Sequence, residues 1–258
     1  MTQKRQVKYS YGRILEISED MKQITTIDNR FYRRNGEYYP SITSVLQMYP
    51  KGQHYEKWLK TVGFASEYIV KKAQEDGTAT HELIEKWLNG EKLYFLNSQG
   101  NPQYNTEVWQ MVLRFIEFWE LYKPKLIETE VHLFSDDLKV AGTCDLICEI
   151  DNELWVIDFK TGNNLHLTNE LQIDVYSKCY TECYGRPIHR RGLLWLKSST
   201  RKLSKSRMQG KGWNMIEPER KFEENIEIFK TVKKLWDLEN PTPKPSFETF
   251  QTIVKREL

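Results

Sequence analysis

The segment Gly142 to Gly162, GTCDLICEIDNELWVIDFKTG, constrains this chain more than any other. Its two apolar runs, TCDLICEI and ELWVIDF, have strand composition, and Asp151-Asn152 between them supplies turn residues. A two-residue loop there pairs Ile150 with Glu153 and, running back along both strands, sets Asp145 opposite Asp158. Opposed side chains in an antiparallel pair lie about 5 Å apart at Cβ. Two carboxylates held that close repel unless a cation sits between them or one takes a proton. Side chains i and i+2 of a strand share a face, so Lys160 points the same way as Asp158. Two carboxylates and an ammonium on one spot have the composition of a divalent-metal site with a nucleophile-orienting amine beside it.

The rest of the sequence fits an ordinary globular protein. Its 258 residues suffice for a substantial core, and 39% hydrophobic with 29% charged residues is typical of such folds. Nothing approaches a run of about 18 apolar residues, so no transmembrane helix and no membrane partner are expected. The start, MTQKRQVKYSYGR, lacks the apolar stretch of a secretory signal. Cys144 and Cys148 fall on one face of the predicted strand, and Cys179 and Cys183 on one face of a helix. No C-x-x-C knuckle occurs, so these read as core thiols rather than a metal cluster. A reducing cytoplasm, in a bacterial or phage-infected cell, is the expected setting.

Formal net charge is only +2, yet the segment from Cys183 to Ile216 holds nine Lys or Arg and no acid. Such a tract either grips a polyanion or is a solvated loop.

Residues 7–40 read as short strands with turns at Glu19-Asp20, Asp28-Asn29 and Asn35-Gly36. Helical patterning begins at Ser41, continues over His54–Ala73 to a stop near Asp76-Gly77, and resumes over Thr78–Leu88. Another helix, Thr106–Tyr122, is apolar nearly all round and ends at Pro124. Strands are expected at Glu128–Phe134, Lys139–Ile150 and Glu153–Lys160. A helix Thr168–Tyr184, a strand His189–Leu196, a possible strand Gly212–Ile216 and a helix Pro218–Leu238 follow. The proline-rich tail NPTPKPSFETF is expected to be extended. This order describes an α/β sandwich around a mixed sheet. It divides into an N-terminal β extension (1–40), a core domain (41–239) and a tail (240–258), with a monomer favoured.

A lone D-x-K on a strand is ordinarily a salt bridge. Here that reading leaves the opposed Asp145 without a partner, and burying an unpaired carboxylate is costly. His81 shares a helix face with Ile84 and Leu88, so it points inward, as a core histidine or as a metal ligand. Gln172 and Tyr176, one turn apart, share a face of the following helix. Tyr38, Tyr39, Trp195 and Trp213 offer rings for stacking on bases, or for packing in a core.

These residues resemble a known family. Gly142–Asp145 as G-x-x-D, Ile157–Gly162 as I-D-F-K-T-G and Gln172–Tyr176 as Q-x-x-x-Y are similar to the PD-(D/E)XK nuclease superfamily. The upstream G-T-x-x-H (Gly77–His81) is similar to its RecB-like branch. YPSITSVLQMYP, with Trp58 beyond it, resembles the start of mitochondrial genome maintenance exonucleases and related phage nucleases. The resemblance implies a restriction-endonuclease-like α/β core, a mixed central sheet flanked by helices, with an N-terminal β/helical extension. It implies that His81, Asp145, Asp158 and the carbonyl of Phe159 bind one or two Mg²⁺ or Mn²⁺ ions, and that Lys160 orients the attacking water. Gln172 and Tyr176 match the supporting motif, and Glu130 loosely matches an acid kept by some relatives. No cysteine matches the positions of the iron–sulfur ligands found in some RecB-like exonucleases, so no iron–sulfur cluster is expected.

The implied activity is metal-dependent hydrolysis of DNA, as an exonuclease favouring single strands or ends. Arg190, Arg191, Lys197, Arg201 and Lys202 would hold flanking phosphates. The alternatives are a catalytically silent nucleic-acid-binding module of the same fold and a structure-specific endonuclease. A two-carboxylate glycosidase explains neither Lys160 nor the basic tract.

Overall fold

The structure is a computed structural model that describes residues 6–9, 14–16, 21–25, 30–197, 212–245 and 248–251, with side chains for 30–197 and 212–245. In chain order its elements are β1 (Gln6–Tyr9), β2 (Ile14–Glu16), β3 (Met21–Thr25), β4 (Arg30–Arg34), β5 (Glu37–Pro40), α1 (Ile42–Leu46), α2 (Gly52–Val62), α3 (Ala65–Leu88) and α4 (Thr106–Tyr122). Then come β6 (Lys125–Ser135), β7 (Val140–Ile150), β8 (Glu153–Lys160), α5 (Leu167–Tyr184), β9 (Arg190–Trp195), β10 (Asn214–Ile216), α6 (Phe222–Glu239) and β11 (Glu248–Gln251).

The central sheet runs β10-β9-β8-β7-β6 and is antiparallel except for the parallel β8–β9 pair, which α5 connects. It is therefore the mixed five-strand sheet of an α/β fold. One face packs on α1, α5 and α6 through Ile42, Val45, Leu171, Val175, Phe229 and Trp236. The other packs on α3 and α4 through Leu83, Ile84, Val112 and Phe115. Strand β8 feeds both, with Leu154 and Val156 on the first face and Trp155, Ile157 and Phe159 on the second.

A four-stranded sheet, β2-β3-β4-β5, precedes this core. Its Tyr32 and Tyr39 bury themselves against Phe134 and Ala141. The predicted turn at Asn35-Gly36 is present, both residues having positive φ; Glu19-Asp20 and Asp28-Asn29 lie outside the described residues. Part of the expected extended tail is a strand, since β11 pairs antiparallel with β1 in a small two-stranded sheet. No helix among the described residues is long and apolar enough to cross a membrane.

The helical region departs from the sequence reading. The break falls at Gly63, whose φ is 59°, and α3 then runs unbroken through Asp76-Gly77. Both residues are fixed by packing. Asp76 accepts hydrogen bonds from Lys72 Nζ (2.8 Å) and Asn105 Nδ2 (2.6 Å). A Cβ at Gly77 would stand 2.9 Å from Thr161 Oγ1, so this glycine lets α3 close on the end of β8 instead of ending the helix. His81, one turn on, is thereby aimed at the sheet.

The cysteine expectation also changes. Cys144 packs with the α5/α6 face and Cys148 with the α3/α4 face. Strict alternation would have kept them together, so β7 changes face between Cys144 and Leu146, at Asp145. Cys144, Cys148 and Cys179 are buried, whereas Cys183 is exposed, with its Sγ 3.3 Å from the Phe134 carbonyl.

Candidate metal centre

The β7–β8 hairpin has the register that its turn requires. Asp151 and Asn152 take positive φ, Ile150 pairs with Glu153, and the ladder continues through Leu146 and Ile157. It stops there, one pair short of Asp145 and Asp158. Beyond that point the Asp145 carboxylate takes the place of a ladder acceptor, receiving the Phe159 N–H at 2.6 Å. The strands part where the acids lie.

On the other side of β7, Val131 pairs with Cys144 and Thr129 with Leu146, while the intervening Glu130 and Asp145 form no ladder pair. Glu130 has a φ of 51°, an unusual backbone for a non-glycine residue. Opposed irregularities in β6 and β7 thus turn two acids toward α3. Ligand atoms of His81, Glu130 and Asp145 all lie within 4.8 Å of one another, and His81 Nδ1 is 3.3 Å from Asp145 Oδ1. The Phe159 ring stands edge-on to the imidazole, 5.6 Å between centroids, and holds its orientation.

Electrostatics mark this cluster as short of positive charge. Burial lowers the His81 pKa, but the carboxylates of Asp145, Asp158 and Glu130 together outweigh it and raise the value to about 9. Burial raises the Glu130 pKa, and the charge on Asp145 raises it further. The carboxylate of Glu130 accepts no hydrogen bond from the described residues. Two carboxylates and one imidazole offer the hard oxygen and nitrogen donors that a divalent cation takes. The residues present therefore fit a metal ion.

Asp158 lies beside this group without joining it. Its Oδ2 is 2.5 Å from Lys160 Nζ, an ion pair out of hydrogen-bond alignment, on the α5 side of the sheet. Burial raises its pKa, the Lys160 ammonium lowers it, and Asp145 raises it again. Lys160 Nζ also donates to Gln172 Oε1 (2.8 Å), and Gln172 Nε2 donates to the Tyr176 hydroxyl (2.9 Å). The Tyr176 ring lies over Gly142, where a Cβ would be 2.6 Å from Cε1. Two glycines of the sequence motifs, Gly77 and Gly142, are thus close-approach positions that set His81 and Tyr176.

Outside this centre the expectations fare differently. Arg190 pairs with Glu217 and with Glu153 (3.1 Å), Arg191 with Asp174 (2.8 Å) and Lys197 with Glu107 (3.2 Å). Each of these three cations faces an acid of this chain. Arg201 and Lys202 lie outside the described residues. Tyr39 and Trp213 are buried and Tyr38 packs against the core, so these three rings serve packing, while the Trp195 indole N–H is bonded to the Gly162 carbonyl. The residue undervalued from sequence is Glu130. Its only signal is its place in the strand before the hairpin, because the β6–β7 register is not fixed by an obvious turn pair.

Comparison with known proteins places the chain in a family. The model of the PD-(D/E)XK nuclease superfamily matches residues 43–256, and the chain belongs to that superfamily. Membership implies a phosphodiester hydrolase acting on nucleic acid, in a class that typically uses divalent metal ions. Among solved structures, a Eubacterium rectale protein described as a "Putative exonuclease" matches at a TM-score of 0.42 and 11% identity, over 72% of this chain and 76% of that one. No curated protein shows significant sequence similarity.

Proposed function

We propose that this protein is a divalent-metal-dependent DNA exonuclease of the RecB-like branch, acting on single strands or ends. The observation that carries the proposal is the convergence of His81, Glu130 and Asp145 beside the Asp158–Lys160 pair. His81, Asp145, Asp158 and the Phe159 carbonyl would hold Mg²⁺ or Mn²⁺, with Glu130 as a further ligand. Bound there, the ion would neutralise phosphate charge and lower the pKa of a water. Lys160, steadied by Gln172 and Tyr176, places an ammonium where charge builds on the phosphate and orients the nucleophile. The same reading takes residues 41–239 as the catalytic domain, 1–40 as an extension packed on it, and 240–258 as a tail.

The test uses end-labelled single- and double-stranded DNA and RNA with Mg²⁺, Mn²⁺ or EDTA. DNA should be shortened from one end with metal and left intact in EDTA. Lys160→Ala and Asp158→Ala should abolish cleavage while the fold persists by circular dichroism. Wild-type cleavage by either variant would sink the mechanism, and cutting of closed circles would refute exonuclease action.

A further inference from the structure

Where β8 hands over to α5, the chain forms an open cavity of about 410 Å³ beside Lys160. Its size falls within the roughly 300–1,000 Å³ typical of small-molecule sites. Lys160, Gly162, Asn163, Asn164, His166 and Asn169 contribute to its wall, and no Asp or Glu does. The lining thus offers one imidazole and three primary amides around an ammonium that is already paired with Asp158, a set rich in hydrogen-bonding groups for a ligand with polar edges.

Much of the wall is already held in place. The Trp195 indole N–H donates to the Gly162 carbonyl (2.9 Å), and the His166 backbone N–H donates to Asn169 Oδ1 (2.8 Å). Lys160 is fixed by Asp158 and Gln172. By contrast, Asn163 and Asn164 are exposed, and their side chains make no hydrogen bond to the described residues. Two adjacent amides left uncommitted on a braced wall can present both donor and acceptor to a base edge.

We propose that this cavity holds one nucleotide of the substrate, its phosphate toward Lys160 and its base edge against Asn163 and Asn164. The proposal deepens the nuclease reading and rests on it for the substrate class. It identifies these two asparagines as binding residues outside the metal centre.

The experiment is equilibrium dialysis of the full chain against thymidine 5′-monophosphate and, separately, inorganic phosphate, in EDTA and in Mg²⁺. The Asn163→Ala/Asn164→Ala double variant should bind the mononucleotide about tenfold more weakly, as loss of an amide–base pairing predicts. Its affinities for inorganic phosphate and Mg²⁺ should match wild type, and its KM for DNA should rise with kcat retained. Failure of wild-type protein to bind the mononucleotide, or equal binding by protein and variant, would overturn the proposal. Cleavage by the variant at wild-type KM and kcat would also overturn it, leaving the nuclease reading intact. Mononucleotide binding that the variant loses, in a protein that cuts no nucleic acid, would sustain the cavity and sink the nuclease.

Discussion

The two faces of the central sheet treat buried charge in opposite ways. On the α5/α6 face, Asp174 is fully buried, with Arg191 at 2.8 Å and Asn225 Nδ2 at 2.9 Å. On the α3/α4 face, Asp145 and Glu130 share a single imidazole, and Glu130 has no hydrogen bond within the described residues. The first arrangement ties α5 to β9 and α6, and supplies its own counter-charge. The second gathers like charges and leaves them under-compensated, which a fold tolerates where an outside cation supplies the missing charge. The same residue type is therefore a brace on one face and a binding site on the other.

The largest effect on stability should come from breaking the brace. Asp174→Ala leaves Arg191 half-buried and unpaired, and should cost about 3 kcal/mol, the low end for a broken buried pair because Arg191 keeps some solvent. Denaturant unfolding measures this, while Mg²⁺ binding by the folded variant should stay at the wild-type level; a parallel loss of metal affinity would erase the distinction between the faces. The pH dependence has a definite sign. Burial raises the Asp174 pKa to about 6 from 3.8, although Asn225 and Arg191 pull it down. Between those values the folded protein holds a proton that the unfolded chain has released. The stability contributed by this group is thus full below about pH 4 and is lost as pH rises through about 6. Asp174→Asn should flatten that part of the stability profile.

A smaller effect is expected at Gly142. Its added methyl would meet the Tyr176 ring at 2.6 Å and Ile42 Cδ1 at 3.1 Å. Overpacking of this kind costs about 1–3 kcal/mol. Displacing Tyr176 also disturbs Gln172, and through it Lys160, so Gly142→Ala should lower cleavage more than its melting temperature alone would explain. Unchanged activity in a variant that is destabilised would show that the chain from Tyr176 to Lys160 does not position the ammonium.

What the sequence revealed depended on how local the signal was. The Asp151-Asn152 turn fixes the β7–β8 register, so the neighbourhood of Asp145 and Asp158 followed from counting along the chain. Alternation likewise placed Lys160 with Asp158. The parting of the strands did not follow, because it depends on Asp145 replacing a backbone acceptor and on β7 changing face. Gly77 looked like a helix stop because propensity is local, whereas its real constraint is Thr161, far away in sequence. Arg190, Arg191 and Lys197 looked unpaired because their partners Glu107, Glu153, Asp174 and Glu217 come from other elements.

The smallest expected effect on stability is also the one that most sharply separates the two faces. Glu130→Gln keeps the size of the side chain, replaces a carboxyl group that burial and Asp145 push toward its neutral form and breaks no hydrogen bond, so in EDTA unfolding should change by less than about 1 kcal/mol. Relief of repulsion from Asp145 favours a gain over a loss. Metal binding should move the other way: removing a ligand should cost at least the roughly 10–100-fold that loss of an outer-shell partner costs. Mg²⁺ should therefore raise the melting temperature of wild-type protein more than that of the variant, since a ligand stabilises in proportion to its affinity for the folded state. Melting curves of both proteins with and without Mg²⁺ decide it. A variant that loses stability in EDTA yet keeps its metal-dependent shift would make Glu130 a structural acid like Asp174, and the candidate centre would shrink to His81 and Asp145 with Asp158 beside them.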